Sequence, residues 1–134
     1  MIGLDTNVLL RLLLDDHRGQ NATVKHELET AALAGSAILV NDIVLAETVW
    51  TLARTYGTAK TELLAALHAL VETATFQFES RARMLQALEL FEDAGADFAD
   101  CLIVAKNTAL GCTTTLTFDK GMRALPGVRI LNSP

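Results

Sequence analysis

The chain has 134 residues, 51% of them hydrophobic, with 16 acidic against 11 basic side chains and a formal net charge of −5. That length and apolar content suit a single globular domain over residues 1–134 with a real core, and exclude a disordered chain. The acidic balance excludes a global basic field of the kind that holds a nucleic acid duplex. No run reaches the roughly 18 apolar residues of a membrane span, and the apolar N-terminus shows no basic leader or cleavage site, so a cytoplasmic protein is expected.

In chain order, Met1 to Leu4 reads as a short apolar strand, which Asp5-Thr6-Asn7 turns into a helix over Val8 to Leu14 with polar side chains at its start. Residues 15–19 are a polar break. A helix from about Asn21 to Leu33 ends at Gly35, a buried strand covers Ala37 to Val40, and Asn41-Asp42 opens a long helix from Ile43 to Tyr56 closed by Gly57. Thr58 to Thr73 is a further amphipathic helix, forming a hairpin with the one before it. Phe76 to Phe78 is a short strand, Ser80 to Ala94 a helix stopped by Gly95, and residues 95–111 a second, largely apolar helix. Cys112 to Phe118 forms a Thr-rich strand, Asp119-Lys120-Gly121 a turn, and Val128 to Leu131 a last strand after Pro126-Gly127. Strands separated by helices imply an α/β fold with a parallel sheet covered on both faces. The two cysteines, Cys101 and Cys112, have no metal-ligand spacing and read as buried thiols in a reducing compartment.

The carboxylates carry the chemistry. At about 100° per residue, Asp97 and Asp100 share one wedge of an otherwise apolar helix, where two acids repel each other unless something positive compensates. Asp97 has a competing reading as a helix cap; Asp100, a turn further in, does not. Asp5 and Asp119 each end an apolar strand, on the side where open parallel sheets bind ligands, although each also suits a simple turn or cap. Glu47 lies at the edge of the apolar arc of the Ile43 to Tyr56 helix, as a solvated residue also would. Together, Asp5, Glu47, Asp100 and Asp119 are expected around one crevice, where four carboxylates need a counter-ion. An all-oxygen set without Cys or His suits Mg²⁺ or Mn²⁺ rather than zinc. The histidines His17, His26 and His68 have no ligand spacing and read as surface residues.

Leu4-Asp5-Thr6-Asn7, Ala46-Glu47, the run from Asp97 to Ile103 and Thr117-Phe118-Asp119-Lys120, in this order along nearly the whole chain, resemble the PIN-domain ribonucleases, and among them the VapC-type toxins of toxin-antitoxin pairs. The resemblance implies a three-layer α/β/α sandwich on a parallel sheet of about five strands, and Mg²⁺- or Mn²⁺-dependent cleavage of RNA. It further implies that Asp5, Glu47 and Asp100 are the core metal-binding acids and Asp119 a more variable fourth, with Asp97, Thr6 and Thr117 flanking them. Asn7 joins this supporting set. An antitoxin partner and homodimerisation through helices also follow from the resemblance, the hairpin over Ile43 to Thr73 being a candidate surface.

Among the few basic residues, Arg11, Arg54, Lys120 and Arg123 lie near these motifs and are the candidates for RNA backbone contacts. Trp50 and Tyr56 share the apolar arc and read as core or hairpin packing rather than as base-stacking platforms. The alternative class is a phosphoacceptor signalling domain with an acidic Mg²⁺ pocket. It wants paired acids after strand one and a Lys after the last strand, where this chain has Asp5-Thr6-Asn7 and Asn132-Ser133-Pro134. An Asp-based phosphatase wants an acid where Asn7 stands, and nothing supports an idle fold that has lost its acids.

Overall fold

Leu4 ends the first apolar run, and the helix that follows starts sooner than the polar turn suggests. A computed structural model of the chain describes residues 1–14 and 16–133; Asp15, part of the expected polar break, and Pro134, after the last strand, lie outside the described residues. The chain divides into two compact units, 1–81 and 82–134.

In the first unit, β1 (Ile2–Gly3), β2 (Ile38–Val40) and β3 (Phe76–Phe78) form a parallel sheet in the order β1-β2-β3, with Ile2 opposite Ile38 and Ile38 opposite Phe76. Each crossover carries two helices: α1 (Thr6–Leu13) and α2 (Arg18–Leu33), then α3 (Asp42–Arg54) and α4 (Lys60–Glu72). Parallel neighbours require such long connections. The core gathers Leu9, Ile38, Val40 and Leu45, all essentially inaccessible, with Leu63, Leu67 and Leu70 of α4. Burying side chains of this size against water is what holds helix to sheet, at about 25 cal/mol per Å² of apolar surface. α1 packs chiefly on α2 and α3.

The starts of these helices are fixed by side chains. Asn41 Oδ1 accepts the Val44 N–H at 2.9 Å, and Glu79 Oε1, just past β3, accepts the Asp42 N–H at 3.0 Å, so two of the open amides at the head of α3 are satisfied. α2 begins three residues before the expected start, because His17 Nδ1 accepts the Gln20 N–H at 3.1 Å and caps it. Histidine is an unusual cap, which is why the sequence pattern hides this boundary. Gly57, at φ +62°, ends α3 in a left-handed conformation that favours glycine.

The second unit holds α5 (Arg81–Asp93, all but its first residue), α6 (Phe98–Ala109), β4 (Thr115–Thr117), a 3-10 turn (Lys120–Met122) and β5 (Val128–Ile130). β4 and β5 pair in parallel, with Thr115 opposite Val128 and Thr117 opposite Ile130. Met84 and Leu88 of α5 and Cys101 and Val104 of α6 are buried, and Phe91 meets Phe98 edge to face with ring centroids 5.7 Å apart.

The fold is α/β and, among the described residues, every strand pair is parallel, as expected, but the five strands are paired as three and two. β1 is only two residues long because α1 starts at Thr6, and the other strands have three, so each ladder is short. Three sequence expectations are corrected. Cys101 is buried but Cys112 is exposed, since β4 starts only at Thr115 and Cys112 lies in the irregular connection that follows the turn at Gly111. Trp50 and Tyr56 are not core residues: they are 56% and 43% exposed. The buried arc of α3 is Val44, Leu45, Thr48, Val49 and Leu52, which turns Ile43, Glu47 and Trp50 outward together. Among the described residues, no helix is long and apolar enough to cross a membrane.

Candidate active site

The expected ligands fall two in each unit. In the first, Leu4 N–H donates to Leu39 O at 3.0 Å, carrying the β1–β2 ladder to the edge of the turn, and Asp5 follows in an extended conformation at φ −83° and ψ 159°. Asp5 occupies the N-cap position of α1, and its backbone carbonyl accepts the Val8 and Leu9 N–H groups. Its carboxylate makes no capping hydrogen bond and is exposed. The capping alternative raised by the sequence therefore does not account for this acid.

Thr6 is the first residue of α1, and its hydroxyl donates to Glu47 Oε1 at 2.9 Å. This bond ties the head of α1 to the middle of α3. One oxygen of Glu47 is engaged by a neutral donor, on a helix whose own start is anchored by Asn41 and Glu79. Asn7 is exposed on the next position of α1.

In the second unit, Asp97 takes the N-cap position of α6 at φ −66° and ψ 153°, again without a side-chain capping bond, and is exposed. Asp100 lies in the first turn of α6 and is half-buried. Burial, and then the negative charges of Asp97 and Asp119, push its carboxyl above the ordinary aspartate range. The structure thus brings Asp97, Asp100 and Asp119 within electrostatic reach of one another. Asp119 caps the 3-10 turn, as its reading as a turn residue has it. Its N–H donates to Thr117 Oγ1 at 3.0 Å, and its Oδ1 accepts the Gly121 N–H at 2.8 Å. Thr117, expected as a hydroxyl flanking the acids, accepts the Asp119 N–H and so positions Asp119.

The candidate RNA-contacting cations divide. Arg11 Nη1 lies 2.6 Å from Asp16 Oδ1, and its Nη2 donates to the Tyr56 hydroxyl at 3.4 Å, so this guanidinium is already committed between the break after α1 and the end of α3. Arg54, Lys120 and Arg123 are exposed, and Arg123 Nε donates to the Lys120 carbonyl at 3.1 Å. Two contributors escaped the sequence reading. Glu79 reads as an ordinary strand-end acid, although it caps α3; Asn107, whose Nδ2 donates to Thr115 Oγ1 at 3.1 Å, ties α6 to β4 beside Thr117.

A family model described as the PIN domain matches residues 2–128. The chain belongs to the PIN domain family. A curated relative, a VapC ribonuclease of Aquifex aeolicus (strain VF5), is 23% identical over 129 residues, which cover 96% of this chain and 94% of that protein. Among the described residues, neither unit by itself gathers three His, Cys, Asp or Glu side chains in an arrangement that would hold a metal ion. The donor chemistry of this PIN domain nonetheless fits a hard divalent cation. Its candidate donors are carboxylate oxygens alone, Asp5 stands at an N-cap position it does not cap, as does the flanking Asp97, and Asp100 sits in a negative field that a cation would relieve.

Proposed function

We propose that the chain, acting over residues 1–134 as one PIN-like domain, is a Mg²⁺- or Mn²⁺-dependent endoribonuclease that cleaves phosphodiester bonds of single-stranded or structured RNA. Asp5, Glu47, Asp100 and Asp119 are its metal-holding acids. The observation that carries this reading is that Asp5 and Asp97 stand at helix starts without capping them, while Asp100 bears the charge of two neighbouring acids, in a chain that the PIN family model matches almost throughout. The half-buried Asp100, held against the charge of two neighbouring acids, is best explained by a cation it binds.

When bound, a divalent ion supplies an acidified water and stabilises the charge that develops on the phosphate and the leaving oxygen. The residues of the chain hold and orient. Thr6 keeps Glu47 in one rotamer, and Thr117 with the Gly121 amide does the same for Asp119. The acids repel phosphate when bare, so RNA binding as well as cleavage depends on the cation. Arg54, Lys120 and Arg123 supply backbone contacts to the RNA.

The relative named a VapC ribonuclease supports a toxin of a toxin-antitoxin pair, with a cognate antitoxin protein as partner. A net charge of −5 suits a basic antitoxin segment, and Ile43 and Trp50, exposed on α3, suit a homodimer. A cytoplasmic location follows from this role. The test is cleavage of defined RNAs with and without Mn²⁺ or Mg²⁺. Metal-dependent cuts that vanish in excess EDTA and in Asp100→Asn are expected; cleavage that persists in either overturns the reading.

A further inference from the structure

A cavity of about 550 Å³ opens in the first unit between α1 and the first two turns of α2, of a size that accepts a small organic ligand. Its wall includes Asn7, Arg11, His17, Gln20, Thr23 and Val24. On α1 it begins at Asn7, two residues beyond Asp5 and next to the Thr6 that holds Glu47. In a chain with an excess of acids, none of the described residues lining this cavity is acidic.

The polar groups of the wall suit a base better than a phosphate. Arg11, the one permanent cation among the described residues of the wall, is paired with Asp16 at 2.6 Å and is not offered to an anion. Asn7 and Gln20 are primary amides, each with a donor and an acceptor in one plane. Such a side chain makes a bidentate pair with adenine, which presents an N6 amino donor beside an N7 acceptor. His17 is held by the bond from the Gln20 N–H to its Nδ1, which selects the tautomer with its proton on Nε2 and fixes the imidazole plane. Gly19 leaves that ring uncovered: a Cβ there would lie 3.8 Å from His17 Cε1, in ordinary contact. A fixed, open aromatic ring beside two amides is a surface on which a base can stack and be read at its edge.

We infer that this cavity is a base-recognition subsite for single-stranded RNA, taking an adenine close in sequence to the phosphodiester that is cut. The inference rests on the ribonuclease reading and extends it to which RNA is chosen. The subsite selects by base edge, so its loss changes sequence preference rather than the need for metal.

The full-length protein is incubated with Mn²⁺ and single-stranded RNAs randomised around a central position, and the cut ends are sequenced. Wild type is expected to prefer adenine at one fixed position relative to the cut. Gln20→Ala flattens that preference by about tenfold, in the range of one amide-to-base pair. Gln20→Glu, acceptor only, moves it toward cytosine, whose N4 is a donor. Gly19→Leu fills the cavity from an exposed helical position where the backbone accepts any residue, and raises KM for adenine-containing RNA. Cleavage by wild type without an adenine preference, or with one unchanged in both Gln20→Ala and Gly19→Leu, overturns the inference. A metal-free measurement separates this outcome from failure of the ribonuclease reading: adenosine monophosphate is titrated while the Gln20 amide and His17 ring resonances are followed by NMR. Saturable shifts at these residues, absent in Gly19→Leu, support the subsite even if no RNA is cut; no shift overturns it.

Discussion

The Thr6 hydroxyl donates to Glu47 Oε1 at 2.9 Å, joining the residue after one proposed ligand to another ligand 41 positions away. The bond is with a carboxylate, hence stronger than a neutral pair, and it crosses from the first turn of α1 to α3. It sets the rotamer of Glu47 without consuming both of its oxygens.

Thr6→Val keeps the shape of the side chain and removes the donor. Outer partners of this kind change metal affinity or activity by about 10–100-fold when lost. The expected result is a fall in cleavage within that range, with weaker Mn²⁺ binding by calorimetry and a stability change of about 1 kcal/mol or less. Thr6→Ser, which restores the hydroxyl, recovers most of the activity. Equal activity in all three proteins would show that Glu47 needs no such support.

Asp100 makes an opposite demand on stability and activity. Its native carboxyl titrates above the ordinary range through burial and the charges of Asp97 and Asp119. Over the window between the unfolded and native pKa values the native state therefore holds a proton that the unfolded chain has released. Stability falls as pH rises through that window, and the whole loss is present above the native value. In a chelator-treated protein, Asp100→Asn is expected to unfold at a higher temperature than wild type at pH 7, with the advantage disappearing at acid pH where Asp100 is protonated in both states. The same variant has no detectable metal-dependent cleavage. Thermal melts across a pH series check the first half, and a variant less stable than wild type at pH 7 contradicts it.

Gly121 bears on Asp119. A Cβ there would lie 3.0 Å from Asp119 Oδ1, tighter than most real Cβ contacts, so Gly121→Ala makes the carboxylate give by a few tenths of an ångström and strains its bond to the Gly121 N–H. The turn is exposed, so global stability should change by less than about 1 kcal/mol. Cleavage and Mn²⁺ affinity should each drop several-fold. Thr117→Val, which removes the acceptor for the Asp119 N–H, should act in the same direction. Unchanged Mn²⁺ affinity in both variants would remove Asp119 from the ligand set.

Much of this arrangement was legible in the sequence because it rests on local chemistry. Asn41 caps α3 and Gly57 ends it, as short-range signals of this kind should. Of the candidate acids, Asp97 and Asp100 stood out as charges on a largely apolar helix, whereas Asp5, Glu47 and Asp119 were legible only as an ordered set. What escaped depends on neighbours distant in the chain. Whether Asp5 and Asp97 cap their helices is decided by side-chain rotamers, which spacing does not encode. α3 is apolar on more than one side, so the pattern alone could not tell that Val44, Leu45, Thr48, Val49 and Leu52 turn inward while Trp50 turns out beside Glu47. His17 looked like a loop residue because imidazole caps are rare, and with it the cavity beside Gln20 stayed hidden. Strand pairing was the least readable, since ladders of two or three residues leave almost no periodic signal.

Thr48 offers a test of the packing that is independent of function. It sits in the buried arc of α3 at 2% exposure, and its hydroxyl has no hydrogen-bond partner among the described residues. The space beside it, lined by Leu9, Leu45, Leu52 and Leu67, amounts to about 10 Å³, at the lower limit for one water and offering that water only apolar walls apart from Thr48. A buried hydroxyl left without a partner costs about 1–3 kcal/mol. Thr48→Val removes the polar atom and keeps both the volume and the branching at Cβ, which the helix already accommodates. The expected gain is about 1 kcal/mol, a rise in Tm of about 3–5 °C for a chain of this size. Because Glu47 is the preceding residue but faces outward, RNA cleavage should be unaffected at low temperature. A lower Tm for Thr48→Val than for wild type would mean that the hydroxyl is in fact satisfied, and that the α1–α3–α4 core is packed differently around it.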